Sequence, residues 1–281
     1  MEIFKEIKPL KAFLSQKWGL VSIGLVPTMG ALHAGHLSLI GASKLENQLT
    51  ICSIFVNPAQ FNNPKDLEKY PRTLDLDLSL LESAGCDVVF APAVPEIYDH
   101  DSTISFDFGH LDKILEGKFR PGHFSGVALV VSKFFNIIRP STAYFGQKDF
   151  QQFKIIEKLV NELKFDLHLK RMSIFREADG LAMSSRNMRL NGLERKKATV
   201  FYESLAAAKK LLTQGESISK VKEFVAQKCE SVEGIKLDYF ELASAENLKI
   251  TETVTTETVL LIAGFIGEVR LIDNLLMNEN E

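Results

Sequence analysis

Residues 21–26 form a short apolar segment that reads as a buried strand, after which the chain passes Pro27 and two glycines into an apolar stretch of helical spacing ending near Lys44. A second apolar run, 50–56, follows at once, and its β-branched residues without polar alternation suit a parallel strand covered on both faces. Strand, glycine turn, helix and strand make a βαβ unit. The alternation continues with a helix over 74–84, a strand over 87–90, a helix over 127–138, a strand over 143–145 and a helix over 150–163. That order predicts an α/β fold, a Rossmann-like doubly wound parallel sheet whose ligand lies outside the carboxyl ends of the strands, where strand order reverses.

Beyond residue 172 the texture changes. Amphipathic helices over 193–212 and 218–229 precede alternating strands over 237–242 and 258–265, which predicts a second, smaller C-terminal α+β domain. The expected division is 1–172 and 173–281, with residues 176–187 at the junction and no repeat or Pro/Ser-rich linker between.

Composition narrows the function. With 281 residues, 46% hydrophobic and 25% charged, the chain is neither disordered nor collagen-like. Its 33 Lys and Arg against 36 Asp and Glu give a net charge of -3, which argues against nucleic acid or an anionic membrane as main partner. An anionic substrate would need a local cluster of donors. Cys52, Cys86 and Cys229 are widely spaced and form no zinc pattern, so reduced thiols and no protein-borne metal site are expected. The charged start, and an apolar run over 259–267 about half the ~20 residues of a membrane span, predict no signal peptide or membrane helix and a cytoplasmic location.

Two segments carry the chemistry. In Met29-Gly30-Ala31-Leu32-His33-Ala34-Gly35-His36 the glycines permit close backbone approach, a helix start offers unpaired N–H groups, and two histidines three apart can reach a phosphate. The glycine spacing matches a P-loop, but His36-Leu37 stands where Lys and Ser or Thr are needed. H-x-G-H is instead a signature of adenylyl- and cytidylyltransferases. The second segment, Arg176-Glu177-Ala178-Asp179-Gly180-Leu181-Ala182-Met183-Ser184-Ser185-Arg186-Asn187, offers hydroxyls, consecutive N–H groups and a guanidinium to a departing pyrophosphate, although Ser-Ser-Arg-Asn loops are often ordinary turns.

Between and beyond them lie Phe55-Val56-Asn57-Pro58-Ala59-Gln60-Phe61-Asn62, Tyr70-Pro71-Arg72-Thr73, Leu115-Glu116-Gly117-Lys118-Phe119-Arg120-Pro121-Gly122-His123-Phe124-Ser125-Gly126, Tyr144-Phe145-Gly146-Gln147-Lys148-Asp149-Phe150-Gln151-Gln152 and the ending Val269-Arg270-Leu271-Ile272-Asp273-Asn274. In this order they resemble the pantoate-beta-alanine ligase family over nearly the whole length. The resemblance implies that ATP, with Mg2+, activates the carboxylate of (R)-pantoate to pantoyl adenylate and pyrophosphate, and that beta-alanine then displaces AMP to give pantothenate.

It further implies an ATP site made of Met29, Gly30, Ala31, Leu32, His33, Ala34, Gly35 and His36, of Gly146, Gln147, Lys148 and Asp149, and of Phe175, Met183, Ser184, Ser185 and Arg186. His36 holds the family's proton-donor position. The chemistry itself makes it a hydrogen-bond donor to phosphate, because attack by a carboxylate needs no base and the charge developing on the phosphates is what requires stabilising. His33, Lys148, Ser184, Ser185 and Arg186 join His36 as the catalytic set. Lys148 is expected at the phosphates and Asp149 near the ribose. Gln60 and Gln152 match pantoate ligands, Gln60 also near beta-alanine; an isolated Gln is usually a surface residue. Met29, Phe55 and Phe61 are open between an apolar wall for pantoate and core packing. Tyr70, Glu116 and Arg120 match supporting positions, while His123 and Arg72 read as loop-ordering residues. A C-terminal lid and a homodimer are also implied.

Three readings compete. Another H-x-G-H adenylyl- or cytidylyltransferase would share the loop but want extra Arg or Lys for a phosphorylated acceptor. A tRNA synthetase would need a tRNA surface that this acidic chain lacks. A catalytically silent nucleotide-binding module would not need the full set of charge-stabilising donors.

Overall fold

The computed structural model of the chain describes residues 1–98 and 103–279. They form two compact units: Met1–Gly146 with Gln151–Ser173, and Gln147–Phe150 with Ile174–Glu281.

The first unit is built on six parallel strands, β1 (Glu2–Phe4), β2 (Ile23–Thr28), β3 (Leu49–Ile54), β4 (Val88–Phe90), β5 (Thr142–Gly146) and β6 (His168–Met172), in the order β1-β4-β3-β2-β5-β6. From β2 the chain winds outward to β3 and β4, then returns to β5 on the other side, so strand order reverses at β2/β5. The central strands are buried along almost their whole length because helices cover both faces of such a sheet. The helix Ala34–Glu46 approaches closely: a Cβ on Gly24 of β2 would stand 2.1 Å from Ser43 Oγ. A buried polar seam seals that contact, with Ser43 Oγ and Thr50 Oγ1 at 2.8 Å and Asn47 Nδ2 donating to Tyr144 Oη at 2.7 Å. The helices Leu74–Ser83, His123–Ile138 and Phe150–Leu163 supply the other crossovers.

The second unit contains the antiparallel sheet β7 (Ile235–Ser244), β8 (Thr258–Ile266) and β9 (Val269–Leu276). The helices Val200–Thr213 and Ile218–Glu230 share its core, where Phe201, Leu205, Val225, Leu242 and Ile262 meet.

Several elements depart from the pattern-based expectation. The helix expected over 193–212 is two helices, Gly192–Lys197 and Val200–Thr213, because the ladder tightens at Ala198, whose carbonyl accepts from Phe201 N rather than from position 202. Strands β1, β6 and β9 and the helix Ile7–Ser15 have no counterpart in that expectation. Among the described residues no helix is long and apolar enough to cross a membrane.

The three cysteines are free and buried. Burial pushes the Cys86 thiol up to about 11 and raises Cys52 and Cys229 as well. The native protein is therefore expected to resist a thiol reagent at mildly alkaline pH, and all three thiols to titrate on denaturation. Rapid stoichiometric labelling of the native protein would contradict this packing.

Candidate active site

The chain leaves β2 through an unusual turn. Gly30 and Ala31 are both left-handed, with φ of 79° and 51°. The second is a conformation that costs an alanine about 1–2 kcal/mol. Bonds inside the protein hold it: Gly30 N donates to Thr28 Oγ1 at 3.2 Å, and Ala31 N and Leu32 N donate to the two carboxylate oxygens of Asp77 at 3.0 and 2.8 Å. Asp77 is fully buried in the helix Leu74–Ser83 and also accepts from Thr73 Oγ1 at 3.2 Å.

The turn delivers His33 as the N-cap of the helix Ala34–Glu46, with extended backbone and no side-chain cap on the helix start. His36 N and Leu37 N bond back to the His33 carbonyl. The first-turn N–H groups of Ala34 and Gly35 are the kind that a helix start leaves for an anion. The rings of His33 and His36 lie 4.1 Å apart beside them. Residues 29–36 thus sit at the carboxyl end of β2, where strand order reverses.

Gln60 stands next to this turn. Asn57 Nδ2 donates to Gln60 Oε1 at 3.0 Å and to the Gly126 carbonyl at 3.0 Å, while Asn57 Oδ1 accepts from Tyr98 Oη at 2.8 Å. With its oxygen engaged, Gln60 turns its amino group towards Met29, 3.2 Å from the Sδ. Burial pushes the Tyr98 phenol up to about 12, so it stays a donor. His123 Nδ1 lies 2.8 Å and Arg120 Nη2 3.4 Å from the Gln60 carbonyl, and Arg120 Nη1 is 3.0 Å from His123 Nε2. These two residues fix the backbone beneath the amide. Gly126 admits the segment, since a Cβ there would stand 2.2 Å from the Ala59 carbonyl oxygen.

Phe55 is a core residue, packed against Phe134 and Tyr98, whereas Phe61 is half-buried with its ring 5.8 Å from Tyr70. Arg72 donates to the carbonyls of Leu67, Glu68 and Tyr70 and so closes the end of the short helix Pro64–Glu68. Glu116 is buried, its N–H on Gln151 Oε1 at 2.9 Å. Gln152 lies half-buried in the first turn of the helix Phe150–Leu163.

In the second unit the strand β9 organises both remaining segments. Gly146 ends β5, and Gln147, Lys148 and Asp149 form a 3₁₀ turn whose carbonyls at Gln147 and Lys148 accept from Asn274 Nδ2 at 3.0 and 2.9 Å. The neighbouring Asp273 takes Arg176 in a fork, at 2.7 and 3.0 Å. Arg176 also donates to the Gly180 carbonyl at 3.1 Å and lies 4.2 Å over the Tyr202 ring. Gly180, with φ of 88°, rests on that same ring, which a Cβ would overlap at 2.1 Å. Burial raises the Asp273 carboxyl pKa, while Arg176 and the charge of Lys148 pull it down.

Arg176 also pairs with Ala182 in an isolated bridge, and Met183 N donates to the Phe175 carbonyl at 3.0 Å. Ser184 Oγ caps the following turn by accepting from Arg186 N at 3.2 Å. Ser185 is buried, Met183 and Arg186 are half-buried, and Phe175 is exposed.

Sequence reasoning gave no role to Asn57, Asp77, Tyr98, Asp273 or Asn274. Asn57 and the Asp273-Asn274 pair stood inside quoted motifs, but Asp77 reads as one more carboxylate of a helix start, and only the fold shows that both its oxygens are engaged.

A parallel sheet with an H-x-G-H turn at its reversal point defines an α/β protein of the nucleotidyltransferase type. The chain belongs to the pantoate-beta-alanine ligase family, whose model matches residues 2–276. It is similar to the pantothenate synthetase of Bacteroides fragilis, 45% identical over 283 residues and 100% of both chains, and to that of Thermosipho melanesiensis, 46% identical over 280 residues and 99% of both. Among solved structures it resembles the pantothenate synthetase of Thermus thermophilus, with 38% identity, a TM-score of 0.94 and 99% of both chains covered. It also resembles the Francisella tularensis pantoate-beta-alanine ligase complexed with beta-gamma ATP and beta-alanine, with 35% identity, a TM-score of 0.84, and 100% of this chain and 99% of that one covered. Membership makes the chain a pantothenate-forming ligase.

The geometry around Gln60 generates a prediction. Gly126→Ala forces the 58–60 turn away and should lower stability by about 1–3 kcal/mol, the usual cost of overpacking. Thermal melting would show the loss. Unchanged melting would mean that the turn yields freely.

Proposed function

We propose that ATP is bound through residues 29–36, 146–149, 175 and 183–186, and that Gln60 and Gln152 hold (R)-pantoate. The observation that supports this most is the Gln60 amide, oxygen tied and amino group forward, beside Met29 of the H-x-G-H turn. A neutral amide donor suits a carboxylate or hydroxyl and offers no cation to a phosphorylated acceptor, which favours acyl activation over transfer of a nucleotide to a phosphate.

In the first step a pantoate carboxylate oxygen attacks the α-phosphorus of ATP, and the bond to the β-phosphate oxygen breaks as pyrophosphate leaves. Charge gathers on the non-bridging and leaving oxygens. His33, His36, Lys148, Ser184, Ser185 and Arg186 are assigned to those oxygens as donors. In the second step the neutral amine of beta-alanine attacks the acyl carbon, loses a proton, and AMP departs with the bonding pair. The relative from Francisella tularensis, complexed with both an ATP compound and beta-alanine, supports the two ligands as substrates here. The 173–281 region is proposed to act as a lid that keeps water from the adenylate.

Magnesium is proposed to enter with the nucleotide, held chiefly through its phosphate oxygens. When bound, it neutralises phosphate charge. A homodimer and a cytoplasmic location belong to the same proposal; sedimentation at working concentration tests the former, cell fractionation the latter.

Pyrophosphate exchange into ATP, with magnesium and without beta-alanine, should appear only when (R)-pantoate is present. Absence of exchange from folded, ATP-binding protein would defeat the proposed first step. His36→Ala should slow exchange by ~10²-fold or more, the loss seen when a donor aimed at transition-state charge is removed. Gln60→Ala should raise the KM for pantoate while leaving ATP binding nearly intact, and equal loss of both would count against its assignment.

A further inference from the structure

The N–H groups of residues 30–32 are not available to a ligand. Gly30 N is spent on Thr28 Oγ1, and the N–H groups of Ala31 and Leu32 both point to Asp77. A negative charge fully buried beneath an anion-binding turn would oppose ATP unless it did something the turn needs. Its geometry supplies the reason. Ala31 is one of the few non-glycine residues with positive φ, next to a Gly30 that is also left-handed, and such a pair reverts to ordinary backbone unless the N–H groups it directs inward are taken up.

We infer that Asp77 is a positioning residue for ATP use: its carboxylate holds the left-handed Gly30-Ala31 turn and so aims His33, His36 and the first-turn N–H groups of Ala34 and Gly35 at the phosphates. The inference rests on the proposed ATP role of residues 29–36. Asp77 itself touches no substrate, since both oxygens face the turn and Thr73. Gly30 is fitted to the same contact, because a Cβ there would stand 2.9 Å from Asp77 Oδ2.

Two measurements test this. In the intact wild-type protein, hydrogen exchange resolved to single amides should find Ala31 and Leu32 protected without ATP and unchanged by it, while Ala34 and Gly35 slow on addition of a non-hydrolysable ATP analogue. New protection at Ala31 and Leu32 on ligand binding would make them ATP contacts and overturn the inference.

The second measurement uses Asp77→Asn, which keeps the shape but can accept only one of the two N–H bonds. It should lower kcat/KM for ATP in the exchange reaction by about tenfold or more, the loss expected for one charge-assisted bond, with the KM for pantoate nearly unchanged. In an Ala31→Gly background, where left-handed backbone is unstrained, the same substitution should cost several-fold less. A loss that is equal in both backgrounds, or that falls equally on pantoate and ATP, would reduce Asp77 to a stability residue. His36→Ala run alongside separates the two layers. If it retains full exchange, the ATP role of the turn fails and this inference with it; if it loses exchange while Asp77→Asn does not, only the Asp77 inference fails.

Discussion

Two consecutive left-handed residues turn the chain off the end of β2, and a buried carboxylate takes up the N–H groups that they direct inward. The rest of the first unit is consistent with that constraint. β2 is flanked on both sides by parallel partners, so its carboxyl end is fixed in place, and the close seat of Ala34–Glu46 over Gly24 fixes where the next helix begins. A turn strained by about 1–2 kcal/mol persists only where its surroundings over-determine it. Here a glycine, two amides on one carboxylate and a hydroxyl do so together.

The second unit solves a related problem with a different counter-charge. Asp273 is buried like Asp77, but its main partner is the Arg176 guanidinium, beside a single backbone amide, that of Asn274. The fork ties β9 to the 176–182 loop, and the adjacent Asn274 ties β9 to the carbonyls of Gln147 and Lys148. One pair of residues on one strand therefore sets two loops that are far apart in the chain. Arg195 steadies the same loop from outside through Asp179 and Glu177, and it holds the Asp179 carboxyl below the usual carboxylate range. Being only partly buried, that contact contributes less than the buried fork.

The α/β core was legible because parallel strands buried on both faces read as apolar runs, and the helix expected over 150–163 has those bounds in the structure. What escaped was structure whose burial is decided elsewhere in the chain. β6, His168–Met172, is an edge strand with no buried residue and three basic ones, and β1 is three residues long. β9 carries Asp273 and Asn274 at positions where a pattern reading wants apolar side chains, because a buried polar network replaces the apolar face there. The site divides in the same way. The H-x-G-H turn announces itself through glycine and histidine spacing, whereas Asp77 and Tyr98 reach it from 46 and 41 residues away along the chain, to Ala31 and Asn57 respectively, and carry no local signal.

A chain of net charge -3 that handles ATP and two carboxylic acids must make its attraction local, and around the Gln60 amide neutral groups do the orienting, with Arg120 reaching only the Gln60 backbone carbonyl. Asn57 spends one amide hydrogen on Gln60 and another on the Gly126 carbonyl, while its own oxygen is taken by Tyr98 and Ala59 N. Each bond removes one alternative orientation, until Gln60 can only donate forward. A lysine in its place would attract acids more strongly but would select poorly between a carboxylate and a phosphate, since a compact point charge recognises both. A locked neutral donor gives up affinity and gains discrimination. On the proposed assignment the nucleotide is left to the histidines, Lys148 and Arg186, whose charges and donors suit phosphate.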